Sequence, residues 1–263
     1  MKYWEREKQI LDLLKEQGAV SMSYICELTG ASVATVRRDF DEIQKKGLAK
    51  RSHGGLHLPE KPKKRYMSGT EIVDEIDREK QLIAMEAAAQ VKPGESIFIG
   101  AGKTCNMLAA LLGNVERLNV VTTSVTAVLE LAECPNVSVT LLGGDVHIGK
   151  HYIETLDPDL SHTLRGYFFD KVFLTCEGVD LERGYTVQDK NRTGLYTLLS
   201  RMTRRLYMLL DSAKFDRSAF ATVYPPDKLC RIISTRNMPQ KFMDFYAKRG
   251  ISCTLLDKDN ERK

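Results

Sequence analysis

The chain has 263 residues, 43% of them hydrophobic, which is enough apolar material for a buried core and enough length for two domains. It shows no N-terminal apolar leader and no apolar run of bilayer-crossing length, so a cytoplasmic protein with no membrane partner is expected. The net charge of +4 is unevenly placed: residues 1–65 hold 14 Lys/Arg against 9 Asp/Glu, and the remainder holds 25 against 26. Basic charge confined to one small module points to a polyanion partner for that module. None of the 6 cysteines forms a CxxC pair or has a His at zinc-ligand spacing. They are expected to be small apolar residues, and no metal site or resident cofactor is predicted.

The first helix is predicted from about Trp4 to Gln17, with Ile10, Leu13 and Leu14 inward and Gly18 as its stop. A second helix follows Ser21, whose hydroxyl suits an N-cap, with Tyr24, Ile25 and Leu28 as its apolar stripe. Thr29-Gly30-Ala31 makes a turn, Ser32 caps a third helix, and Gly47 ends it. At about 100° per residue, Val33, Val36, Phe40 and Ile43 share one face of that helix. Arg38 then points away from the core beside Ala34, Thr35 and Lys45, with Arg37 on the flank. Arginine reads guanine edges bidentately, threonine bonds or touches thymine, and a flanking arginine grips phosphate. Arg38 and Thr35 are therefore assigned to base edges and Arg37 to phosphate. The competing reading is an ordinary surface helix with Glu42 pairing Arg38. The alternating, basic, glycine-paired run from Leu48 to Leu58 reads as a hairpin wing. It adds Lys50, Arg51 and His53 to Ser32 and the helix residues as candidate DNA contacts, with a structural role for His53 slightly favoured.

Residues 59–70 hold two prolines, four basic residues and little apolar content, and read as a linker. Beyond it a helical pattern covers 71–90. Strand candidates then lie at 96–99, 119–123, 137–142, 171–175, 206–211, 231–235 and 252–256. Helical stretches at 104–112, 124–132, 157–164, 189–203 and 239–249 separate most of them. This alternation predicts a Rossmann-like α/β domain with a largely parallel sheet. The expected organisation is a winged helix-turn-helix at 1–58, a linker at 59–70 and an effector-binding domain at 71–258.

The run from Ser32 to Phe40, then Gly47-Leu48, then Arg51-Ser52-His53-Gly54-Gly55, resembles the DeoR family of bacterial repressors, with Val36 and Phe40 replacing the usual Ile and Leu. The resemblance implies a repressor of a carbohydrate or related operon, acting as a homodimer or homotetramer on a double-stranded operator. It also implies a sensor domain similar in fold to ribose-phosphate isomerases, binding a phosphorylated sugar or related anion. Release of DNA by the effector is the usual family behaviour.

Four groups fall where that family places its ligand. The first is Gly100, Gly102, Lys103 and Thr104, where Gly100 and Lys103 depart from the family's acidic residue and hydroxyl. A Walker A reading fails because Ile97 stands where glycine is required. The second is Thr123 and Ser124, equally readable as a helix cap. The third is Gly143 and Gly144, also readable as a tight turn. The fourth joins Glu177, Asp189, Asp211 and Lys214, with Lys214 for an anion and Asp211 for a hydroxyl or for positioning the lysine; a structural ion pair is its alternative. Lys103 and Arg192 together suggest a pocket more basic than usual, fitted to a multiply anionic effector. An enzyme would need a general base, for which Glu177, Asp189 and Asp211 are the candidates; catalysis is not expected. A non-specific nucleic-acid binder is the remaining alternative.

Overall fold

The computed structural model describes residues 2–52, 54–57, 70–157 and 159–257. The chain divides into two compact units, Met1–Lys64 and Arg65–Lys263. Residues 59–69 of the predicted 59–70 linker, and His53 and Leu58 of the wing, lie outside the described residues.

The N-terminal unit runs α1 (Tyr3–Gln17), β1 (Ala19–Ser21), α2 (Met22–Thr29), α3 (Val33–Lys45), β2 (Lys50–Ser52) and β3 (Gly55–His57). Local signals set these boundaries. Gly18 ends α1 at φ 77°, and its N–H donates to the Leu14 carbonyl at 2.9 Å. The Ser21 hydroxyl accepts from the Tyr24 N–H at 3.2 Å, and that of Ser32 accepts from the Thr35 N–H at 3.3 Å. The core gathers Ile10, Leu14, Ile25, Val36, Phe40, Ile43 and Leu56, each fully buried. Burying a side chain of this size contributes roughly 1.5–3 kcal/mol.

Three predicted core residues lie outside. Val33 is 55% exposed, Tyr24 41% and Leu28 46%. A helical wheel extends the inward face to both ends of a helix, but the buried residues of α3 begin only at Val36, and among the described residues α2 buries just Ile25.

The wing is antiparallel, in the order β1-β3-β2. Its glycines have separate reasons. Gly54 turns the chain at φ 94°, whereas a Cβ on Gly55 would stand 2.2 Å from the Val20 carbonyl oxygen. The close crossing of β3 over β1 therefore admits glycine alone.

The second unit runs α4 (Glu75–Ala89), β4 (Ser96–Ile99), α5 (Lys103–Ala110), β5 (Leu118–Thr122), α6 (Val125–Leu131), β6 (Val137–Leu141), β7 (Asp145–Ile148), β8 (Ile153–Leu156), α7 (Leu160–Thr163), β9 (Lys171–Leu174), β10 (Gly178–Asp180), β11 (Gly184–Val187), α8 (Arg192–Arg201), β12 (Leu206–Leu209), β13 (Ala221–Tyr224), β14 (Arg231–Thr235), α9 (Gln240–Lys248) and β15 (Ser252–Leu256). Seven strands form one parallel sheet, ordered β15-β14-β12-β9-β4-β5-β6. These are the seven predicted strands. Side chains alternate between its faces: Ile97 and Ile99 pack with α4, α5 and α6, and Phe98 packs with the layer holding α8 and α9. The sequence reading missed the β7–β8 hairpin and the antiparallel β10-β11-β13 sheet.

From β4 the chain builds outward through β5 to β6, then restarts at β9 on the other side of β4. The reversal places a crevice between the C-terminal ends of β4 and β9, where open α/β sheets take their ligands.

Candidate functional site

In the N-terminal unit, α3 presents Ala34, Arg37, Arg38 and Lys45 as exposed residues, with Thr35 half-buried. Arg37 and Arg38 form no ion pair among the described residues. Lys45 pairs with Glu42 at 2.8 Å, so the alternative Glu42–Arg38 pair does not form. Ser32 is exposed but its hydroxyl caps α3 and lies 3.0 Å from that of Thr35. Lys50 is exposed on the wing. Arg51 is turned back onto α3, 3.1 Å from the Asp41 carboxylate, with its guanidinium 6.0 Å from the Phe40 ring centre.

What seats α3 is a contact the sequence reading missed. Asp39, next to Arg38, is buried, and Arg6 of α1 donates to both its oxygens, at 2.6 and 3.0 Å. The Asp39 hydrogen bond raises the Arg6 pKa against the effect of burial. Arg-Arg-Asp thus combines two outward cations with one inward anion that fixes their helix to α1.

In the second unit, Gly100–Gly102 crosses from β4 to α5 against the end of β9. The Gly100 N–H donates to the Phe173 carbonyl at 2.9 Å, and a Cβ on Gly102, at φ 129°, would meet the Thr175 methyl carbon at 2.9 Å. Buried polar atoms collect at the ends of the neighbouring strands. Thr175 Oγ1, Glu177 Oε2, Asp211 Oδ2 and Thr235 Oγ1 have no hydrogen-bond partner. Such a cluster calls for a polar ligand or ordered water. Lys214 stands half-buried in the short 3-10 turn after β12, without an ion pair among the described residues.

The two lysine and arginine departures behave differently from expectation. Lys103 is buried and donates to Asp77 of α4 at 2.6 Å. Burial would raise the Asp77 carboxyl, but hydrogen bonds from Lys103 and the Val73 N–H outweigh it and hold it below its ordinary value. Arg192 is buried against Glu154 of β8, its Nε at 2.9 Å, and donates to Glu177 at 2.7 Å. Burial works against its charge, but Tyr196, Glu154 and Glu177 keep it protonated. Lys103 and Arg192 are therefore not spare cations, and they lend no support to a multiply anionic effector. Each of the two already has a carboxylate, because a buried charge must be paired.

The remaining candidates divide. Ser124 caps α6, accepting from the Ala127 N–H at 3.1 Å, and donates to Asn106 at 3.0 Å; its structural reading holds. The Thr123 carbonyl accepts from the Thr155 N–H at 2.8 Å. Thr104 is buried at the start of α5. Gly144, at φ 133°, passes so close to β8 that a Cβ would lie 2.4 Å from the Leu156 carbonyl carbon, whereas nothing lies within 4 Å of one on Gly143. The Asp189 carboxylate lies 3.0 Å from His147 Nδ1, beside a cleft of about 620 Å³ that Tyr152 and Glu154 also line. Asp77, Lys80, Asn106, His151 and Glu154 are site neighbours that sequence reading missed. Lys80 pairs with Asp77 at i,i+3, but the partners that join Asp77, Lys80, Asn106 and Glu154 to the site lie 26 or more residues away, so no local spacing announces them. Burial pushes the Cys105 and Cys176 thiols up to about 12, as inert apolar residues behave.

No helix among the described residues is long and apolar enough to cross a membrane, and no metal-binding group is found among them. Residues 6–62 match the family model of the DeoR-like helix-turn-helix domain, and residues 76–236 match that of the DeoR C-terminal sensor domain. The lactose phosphotransferase system repressor of Lactococcus lactis is 31% identical over 81% of this chain and 83% of that protein. The transcriptional regulator GolR of Listeria innocua is 29% identical over 97% of this chain and 99% of that protein. Among solved structures, ribose 5-phosphate isomerase A from Neisseria gonorrhoeae is similar over 56% of each chain, at 16% identity and a TM-score of 0.39. The chain belongs to the DeoR family of transcription regulators, with the helix-turn-helix domain ahead of the sensor domain.

Proposed function

We propose that this protein is a cytoplasmic, homo-oligomeric repressor of a carbohydrate operon that a phosphorylated sugar controls, and that it catalyses no reaction. The observation that carries the DNA-binding half is the exposed Arg37–Arg38 pair, without an ion pair among the described residues, on a helix whose opposite face is locked into a core. In a major groove, Arg38 and Thr35 reach base edges, and Arg37 and Lys50 grip phosphates. An oligomer presents two such helices to two half-sites. Lys45, Arg51 and His53 remain candidate contacts at the margin. Relatives named as sugar-operon repressors support the regulatory reading.

The sensor half rests on the strand-end cluster. Lys214 supplies charge for one phosphate, and the free oxygens of Glu177 and Asp211 accept from sugar hydroxyls. Gly100, Gly102, Thr104, Thr123, Gly143, Gly144 and Asp189 are kept as further candidate contacts of the effector.

The test is fluorescence anisotropy with DNA from upstream of the protein's own gene and a scrambled duplex, at fixed salt. A repressor binds the upstream DNA tighter by about 10³-fold or more, and one phosphosugar of a panel lowers that affinity. Equal binding of both duplexes supports a non-specific binder instead.

A further inference from the structure

Asp77 lies in the first turn of α4, the helix that opens the described part of the sensor unit after residue 70. Its carboxylate is buried and held by three donors: Lys103 at 2.6 Å, Lys80 at 3.3 Å and the Val73 N–H at 3.1 Å. That set, two ammonium groups and a backbone amide, is what a phosphate oxygen takes. Lys80 also lies 3.8 Å from Asp211 Oδ2, beyond hydrogen-bond reach of that oxygen, which has no hydrogen-bond partner among the described residues. The two lysines therefore stand between α4 and the strand-end cluster.

We propose that Asp77 is a displaceable internal anion: in the free protein it occupies Lys103, and the phosphate of a bound effector takes that lysine and releases the first turn of α4. The inference rests on the reading of the strand-end cluster as the effector site. A buried ion pair gains little net stability over an apolar pair, so a switching role gives the Asp77–Lys103 pair a reason to exist. A second clamp lies two residues further along the helix. Glu79, also buried, accepts from the Ser212 N–H at 2.8 Å, the Ser212 hydroxyl at 3.0 Å and the Asn237 amide. With Asp77 released, Glu79 still anchors the helix while the turn before it is freed. That turn carries Val73 and Asp74, at the N-terminal end of α4. Loss of one contact at the crevice is thereby converted into motion at the entry to the sensor unit.

The test uses the full chain in phosphate-free buffer, with inorganic phosphate as the probe. Calorimetric titrations compare the parent protein with Asp77→Asn and Lys214→Ala. If Asp77 holds the lysine about nine-tenths of the time, Asp77→Asn binds phosphate about tenfold tighter. Lys214→Ala binds it more weakly. Hydrogen exchange on the parent protein gives a second measure that needs no substitution: phosphate accelerates exchange at residues 73–78 and leaves 80–89 unchanged. Unchanged or weaker phosphate binding by a folded Asp77→Asn, with binding still dependent on Lys214, overturns the displacement and leaves the effector site standing. So does unchanged or slowed exchange at 73–78 in phosphate-saturated parent protein. No phosphate binding by the parent or by Asp77→Asn overturns both readings.

Discussion

The same guanidinium group meets opposite surroundings in the two units. Arg38 of α3 is exposed, with no ion pair among the described residues, while Arg192 of α8 is buried between Glu154 and Glu177. The contrast extends to their neighbours. Arg37 and Lys50 also face solvent, whereas Lys103 is closed by Asp77 and Lys171 by Glu95. Arg37, Arg38 and Lys50 are available to a partner, although Arg6, Lys45, Lys46 and Arg51 of the same unit are paired, and in the sensor Lys103, Lys171 and Arg192 are consumed inside the fold. A cation in a motif therefore acquires a role only when its counter-ion is known. Asp39 makes the point within three residues: two arginines face out and the next residue faces in, to Arg6.

This contrast is open to direct attack. The largest effects are expected where a buried carboxylate loses its cation. Arg192→Met strands Glu154, and Arg6→Met strands Asp39; each loss is expected to cost about 3–5 kcal/mol. Urea unfolding measures both, with fluorescence of Trp4, the single tryptophan, reporting the N-terminal unit. Unchanged stability in either variant would mean that the buried pairs are not what fixes α3 and α8.

Gly55→Ala comes next. Its new methyl meets backbone at β1, so a loss of about 1–3 kcal/mol is expected in the same Trp4-monitored unfolding. A smaller effect belongs to acid. The Asp77 carboxyl is held below its ordinary value in the folded chain, so its pair stabilises the fold above the usual aspartate range near 3.9 and is lost as pH falls below it. Sensor stability measured from pH 7 down to pH 3 should fall less steeply in Asp77→Asn than in the parent. The smallest effect is expected at Lys45→Ala, where an exposed pair with Glu42 is removed and the melting temperature stays unchanged.

Much of the architecture was legible because its signals are local. Ser21 and Ser32 cap helices, Gly18 ends one, and seven apolar runs became the seven parallel strands. The additional hairpins were less legible. Residues 145–156 carry mixed polar and apolar residues after a glycine pair, and the glycines drew attention to a turn instead of to β7 and β8. Val33 was misplaced because periodicity gives a direction but not the extent of the surface packed against it. The site divided in the same way. The glycine loop and Lys214 could be found from their positions at strand ends. The state of Lys103 and Arg192 could not, because their carboxylates lie 26 and 38 residues away and were brought in by α4 and β8.

The contrast between available and consumed charge is tested most directly at Arg38. Anisotropy titrations of labelled upstream DNA, at one fixed salt concentration, compare the parent chain with Arg38→Ala. Loss of two bidentate base contacts across two half-sites weakens specific binding by on the order of 100-fold or more, with residual non-specific binding. The melting temperature should stay unchanged, because Arg38 lies outside the core. Parent-like affinity for the upstream DNA in a folded Arg38→Ala protein would contradict the assignment of α3 as the reading helix.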